Sequence, residues 1–343
     1  MSDTATRPPA TKNSLARHPS SAPTWRSLLR WESALVLVLI GVLIFGSSES
    51  STFLNSTTFF FTGLNMGEVA IMALPLLLIV MIGEIDLSVA SMLGLSGAVM
   101  GHLFQSGWSI WAAMAAALVV GAVGGALNGV LVAKAGLPSI AVTIGTLTLF
   151  RGVAEIVLPT PTNRLIPLSL SKIGVVPIQG TEIAYSAAIF VVLALVCAIV
   201  LHATSLGRSI IAIGMQPEAA LFSGIRVTRI RFGLYVASGI ICAFAGILFT
   251  LKNSSASYGA GSGLELTVVA IVLFGGVSIF GGRGTVLGVA LSVAIVGCLQ
   301  QALTQMHVQP EVQNIVTGLL LLISVIVPNS GAAVRRIRER TRR

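Results

Sequence analysis

The chain has 343 residues, 55% hydrophobic and only 10% charged, with a mean hydropathy of +0.93. A soluble domain carries about 25% charged residues, so composition excludes an ordinary soluble fold and indicates a polytopic membrane protein. The formal net charge of +9 resides wholly at the two ends, which leaves no folded basic domain to bind nucleic acid.

Apolar stretches approaching the roughly 20 residues that cross a bilayer recur along the chain as long continuous runs. A membrane β-barrel would show short alternating segments instead, so the spans are helical. Residues 1–30 are rich in Ser, Thr, Pro and basic groups and read as a disordered tail. They end at Trp25, Arg26 and Arg30, with Trp31 next, an aromatic and basic membrane-surface anchor.

Spans are predicted over about 33–46 and 64–83, the second containing Pro75, then from the turn Gly83-Glu84-Ile85-Asp86 to about Gln105. A fourth ends near Val132, and a fifth covers about 139–158 after a short basic turn from Lys134 to Pro138. Pro159 to Thr181, with four prolines, reads as an irregular connection. Further spans are predicted at about 183–203, 229–251, 265–280, 285–305 and 311–328, followed by a basic tail over 329–343. The expected fold is an all-α membrane protein of about ten spans, with a membrane domain over 31–328 and both ends on the same side. Placing that side in the cytoplasm puts Lys134, Arg208, Arg226, Arg229, Arg231, Arg283 and both tails inside, as the positive-inside rule requires. Gly97/Gly101, Gly121/Gly125 and Gly125/Gly129 are spaced for close helix packing within the chain.

One polar segment, Ser205–Arg231, interrupts the apolar pattern with four arginines and the single acid Glu218. Pro217 suits the first turn of a helix, because its missing N–H would be unpaired there. Gly224 suits the left-handed residue that ends one. Glu218, Ala219 and Ala220 leave a small-residue face that a partner's backbone can approach. The segment reads as a docking helix for a cytoplasmic partner.

Asp86 is expected as an N-cap for the third span, with Glu84 exposed and able to touch the partner. Arg151 and Glu155, four apart inside the fifth span, are expected to pair on one helix face. They are candidates for a polar translocation path, to which Asn128, Thr143, Thr146 and Gln300 could add hydrogen-bonding groups, although each of these four reads first as a helix–helix hydrogen bond rather than a solute contact. Cys197, Cys242 and Cys298 lie in apolar runs, and four scattered histidines form no ligand pattern, so no metal site is expected. Gly281-Gly282-Arg283-Gly284 lacks the Lys-[Ser/Thr] ending of a phosphate loop. No nucleophile or acid/base set is present, and the chain is not expected to be an enzyme.

Several stretches resemble the permease subunits of bacterial ABC importers, specifically those of the ribose type. Glu218-Ala219-Ala220, three residues, then Gly224 matches their cytoplasmic coupling loop. Gly83-Glu84-Ile85-Asp86-Leu87-Ser88-Val89, Asn128-Gly129-Val130-Leu131-Val132, Thr143-Ile144-Gly145-Thr146-Leu147 with Arg151-Gly152, and Phe280-Gly281-Gly282-Arg283-Gly284 follow in order. Ala90 departs from the usual glycine. Leu103–Gly107, Arg30-Trp31-Glu32 and Gly297–Gln301 look most like permeases of autoinducer-2 and rhamnose importers. The resemblance implies a multi-pass protein of the bacterial inner membrane that pairs with a second permease subunit. It also implies a cytoplasmic ATPase carrying ATP and Mg, a periplasmic sugar-binding protein and a monosaccharide-like solute. An ion-coupled transporter acting alone is the alternative, and it would need acids placed within spans.

Overall fold

The computed structural model describes residues 25–162, 166–320 and 322. Among them the fold is helical: α1 (Trp25–Glu49), α2 (Ser56–Met81), α3 (Val89–Gln105), α4 (Ile110–Gly129) and α5 (Ser139–Val157) come first. Then follow α6 (Leu168–Val175), α7 (Tyr185–Ala203), α8 (Ser205–Met215), α9 (Pro217–Phe222), α10 (Val227–Asn253), α11 (Leu264–Phe274) and α12 (Val286–Gln305). The chain is helical again over 310–320. Seven described helices are long and apolar enough to cross a membrane, α4 counted with the π-helical turn Val130–Lys134 that extends it, while α3, α8 and α11 are shorter.

The boundaries differ from expectation in three places. α1 begins at Trp25, so the helix reaches into the segment expected to be irregular; residues 1–24, the end of the last predicted span and the tail 329–343 lie outside the described residues. The connection after Pro159 contains α6, eight residues long. The predicted span 265–280 is the eleven-residue α11, and the path of the chain before it explains why.

Asp86, Leu93, Gly97 and Gly101 of the α3 region meet Ser238, Gly246, Thr250 and Ala256 in turn, so α3 runs parallel to α10. After Ser254, a left-handed residue at φ 52, the chain reverses. The Tyr258 and Ala260 carbonyls then press on Gly94, and Gly261 reaches Ala90. Those eleven positions of α3 correspond to roughly 16 Å at 1.5 Å per residue. α11 therefore starts well back from the end of α10 and has a shorter distance left to cover.

α2 is the axis of the bundle. It is almost wholly buried, whereas α1 and α7 turn most of their surface outward, with Leu37, Ile44, Val191 and Leu195 exposed on faces suited to lipid. The most extensive contact joins α4 to α10. A methyl group on Gly121 would lie 2.5 Å from the Gly239 carbonyl, and one on Gly129 would lie 3.1 Å from that of Phe232. Close backbone approach of this kind is how helices gain packing energy where lipid supplies no hydrophobic drive. The expected intrachain role of these glycines is what the fold shows.

Candidate functional site

α7 ends at Thr204, whose side chain accepts the Gly207 N–H at 3.3 Å and starts α8 in a new direction. α8 buries Gly207, Ile210 and Ile213 on one face and exposes Ser205, Arg208 and Met215, the pattern of a helix lying on a surface. α9 follows after the extended Gln216, with Pro217 at its first position. Its end has the geometry expected for Gly224: φ is +81, the Gly224 N–H reaches Leu221 O at 3.0 Å, and the Ile225 N–H reaches Ala220 O at 3.1 Å. This double bond is the Schellman closure, which a residue with a side chain fits poorly.

Of the predicted docking residues, Pro217, Glu218, Ala219 and Gly224 are exposed, while Ala220 is buried and anchors the helix. Beside them stand large apolar side chains with no cover. Phe222 is 90% exposed and Phe280, on the neighbouring 278–283 hairpin, 80%; Leu221 and Met215 are exposed too. Such a patch on a monomer marks an interaction surface. From the sequence Phe222 has no role and Phe280 figures only as part of a resembling stretch, because a phenylalanine in an apolar chain carries no docking signal until its exposure is known.

The surface formed by α8 and α9 is seated on backbone. Gly214 of α8 packs against Met81 O and Gly282 N, and the Gly282 N–H donates to Met81 O at 2.8 Å. Gly281 (φ +81) and Gly282 (φ +74) shape the hairpin, which closes through Ser278 N–H to Arg283 O at 3.0 Å. Residues 281–284 are therefore a glycine turn joining α11 to α12, and the turn touches the end of α2 directly. At the base of the same loop Trp31 Nε1 donates to Phe274 O at 3.2 Å, and Thr285 donates to Glu32 Oε1 at 2.8 Å. These bonds pin α1 to it.

From Met81 the chain runs through 82–88 without helix, and here two expectations are corrected. Asp86 is not the cap of α3; Ser88 occupies that position, and Asp86, 3% exposed, lies two residues earlier. Its Oδ1 accepts the Ser88 N–H at 2.9 Å and the Ser88 hydroxyl at 2.6 Å, and its Oδ2 accepts the Ser238 hydroxyl of α10 at 3.2 Å. The non-helical backbone after Gly83 places the carboxylate in the interior. Glu84 is not free for a partner: it pairs with Arg231 at 3.5 Å and is mostly covered.

The path candidates divide into separate places. Asn128 is buried and donates to Ser88 Oγ at 2.8 Å. Thr143, fully buried, donates to Ser139 O at 2.8 Å and to Ile85 O at 3.2 Å; Ser139 Oγ in turn accepts the Ile85 N–H at 3.2 Å. Thr146, also buried, bonds its own helix at Thr143 O. Asn128, Thr143 and Asp86 thus form one polar network around 82–88. Gln300 lies elsewhere, its amide 3.5 Å from Thr317 Oγ1 in a helix–helix contact.

The expected Arg151–Glu155 pair does not form. Arg151 reaches across to the 254–263 loop and α11, bonding Ser262 Oγ at 2.6 Å, Gly261 O at 3.3 Å and Glu265 Oε2 at 3.3 Å, while Glu155 points outward, exposed. The tertiary partner wins because one guanidinium can satisfy three groups there. Nor are these two the charges deepest in the spans. Glu68 of α2, 2% exposed, holds Lys252 of α10 at 2.8 Å, and Lys252 also donates to Leu64 O at 3.2 Å. Glu68 was missed in the sequence, although it stands as the lone charge in the predicted span 64–83; its partner, 184 positions away, carried no sequence signal at all.

Residues 59–325 match the family described as branched-chain amino acid transport system / permease component. The chain is also 30% identical over 317 residues to the "Autoinducer 2 import system permease protein LsrD" of Escherichia coli K12, covering 90% of this chain and 95% of that one. The LsrD proteins of Shigella flexneri and E. coli O157:H7 show the same identity and coverage. No solved structure matches the chain. A multi-pass helical bundle and a family match across most of its length lead to one assignment: the chain belongs to the branched-chain amino acid transport system / permease component family, as the membrane permease of an ABC importer.

Proposed function

We propose that this chain, with a second permease subunit, forms the pathway for a sugar-like solute of the autoinducer-2 class, in a ten-span arrangement with both ends in the cytoplasm. A periplasmic binding protein delivers the solute, and a separate cytoplasmic ATPase, holding ATP and Mg, drives the cycle by gripping α9. The observation that carries this is α9 itself: a helix begun at Pro217 and closed at Gly224, presenting Leu221 and Phe222 uncovered, and following directly on α8, whose Gly214 packs against the end of α2. The positive-inside pattern of the sequence supports a cytoplasmic position for that surface. Similarity to LsrD supports the solute class. Closure of the ATPase pair shifts a two-state equilibrium between outward- and inward-open bundles.

Gly224→Trp tests the docking step. The glycine has open space around it but a φ of +81, so the tryptophan adds both bulk and backbone strain at the docking surface while leaving the bundle interior untouched. In proteoliposomes holding the full importer, ATP-driven autoinducer-2 uptake is expected to fall at least about tenfold with normal membrane insertion. Undiminished uptake would refute the docking role. Uptake of leucine in place of autoinducer 2 by the wild-type importer would move the solute to the class that names the family.

A further inference from the structure

We propose that the non-helical segment 82–88 carries the motion of the docking surface into the bundle, and that Asp86 is the positioning residue that makes α4 and α10 follow it. This rests on the ATPase-docking reading above and adds the route by which force leaves that surface. At its start the segment is gripped by backbone alone. Gly214 of α8 and Gly282 of the hairpin both lie against Met81, with no side chain between to absorb a displacement.

Five residues later the same segment is bonded to three helices. Ile85 exchanges bonds with Ser139 and Thr143 of α5, Ser88 accepts from Asn128 of α4, and Asp86 accepts from Ser238 of α10. Glu84 adds an ion pair to Arg231, roughly 10 Å nearer the docking side of α10 at 1.5 Å per residue. Segment and α10 are therefore fastened at two heights, which resists pivoting.

The bonds are of the kind that transmit motion. Apolar contacts slide at little cost, whereas a buried carboxylate stripped of its donors carries the full desolvation penalty. Asp86 draws its described partners from neutral donors only, so when the segment shifts, the lowest-energy response is for Ser238 and Asn128 to shift with it. The network also has unused capacity. Asn128 Oδ1 and Arg231 Nε are buried without a hydrogen-bond partner among the described residues. A second arrangement of the segment has groups waiting to receive it, which is what a two-state element requires.

The test uses the complete importer in proteoliposomes, with autoinducer-2 uptake and ATP hydrolysis measured on the same vesicles. Asp86→Ala is expected to raise the ATP hydrolysed per solute imported by at least about twofold and up to about thirtyfold. Asp86→Asn, which keeps one acceptor oxygen for Ser88, should recover part of that loss. Glu84→Arg and Arg231→Glu should each raise the ratio, and the two together should lower it again, a reversal that a mere folding defect would not show. The proposal is overturned if the ratio stays at the wild-type value in these variants, or if uptake and hydrolysis fall together in step with folded yield and the charge swap restores nothing. If wild-type vesicles show no ATP-driven uptake, the functional reading itself has failed and this inference falls with it. Wild-type coupling with unaltered variants refutes the inference alone.

Discussion

Replacing Lys252 with Met takes away the cation that faces Glu68 while keeping a long apolar stem. Glu68 is 2% exposed near the middle of α2, and its carboxylate is 2.8 Å from the Lys252 ammonium. α6 packs against the Lys252 backbone: a methyl group on Gly174 would come within 2.5 Å of the Lys252 backbone nitrogen. Water thus has a poor route to a carboxylate left alone there. Breaking a buried pair by removing one partner costs about 3–5 kcal/mol, whereas replacing both with apolar groups of similar size is often neutral or better. Lys252→Met is therefore expected to lose about 3–5 kcal/mol, and Glu68→Met combined with Lys252→Met to regain most of it. The measurement is reversible unfolding of the purified permease in mixed micelles, titrated with denaturing detergent. A loss under about 1 kcal/mol for the single variant is the value of an exposed pair. It would show that water reaches Glu68.

Two further outcomes are expected. Glu265→Gln should lower the midpoint of thermal unfolding measurably by loosening the Arg151 contact between α5 and the 254–263 loop, whereas Glu155→Gln should leave it within error; equal effects would restore the pairing within α5. Arg226→Cys, at an exposed position just after α9, should react with a membrane-impermeant maleimide only after the cells are opened, and labelling of intact cells would invert the orientation.

Legibility tracked the range of the interaction. The short helix from Pro217 to Gly224 was readable because each of its signals acts within a few residues: a ring that fixes φ at the start, and a residue without a side chain where φ turns positive at the end. The intrachain role of Gly121, Gly125 and Gly129 was readable for a similar reason, since spacing by four puts them on one face whatever that face meets. Pairing failed the same test. Arg151 and Glu155 are ideally spaced on one helix, yet Glu265 lies 114 positions away and takes the contact. Asp86 read as a cap because its position before a helix is local information, while its burial depends on how α10 happens to lie across it.

Hydropathy alone determined that this chain dissolves in lipid as a bundle of helices, because backbone groups in hydrocarbon must find their hydrogen bonds within each helix and twenty apolar residues in a row leave few other choices. Charge placement along the chain carried the expected orientation with it. Tertiary structure decided which buried charges face each other, why α11 is a short helix, and that 82–88 enters the bundle bonded on several sides. Those outcomes depend on distances between segments that are remote in the chain, and a linear pattern of side chains does not encode such distances one residue at a time.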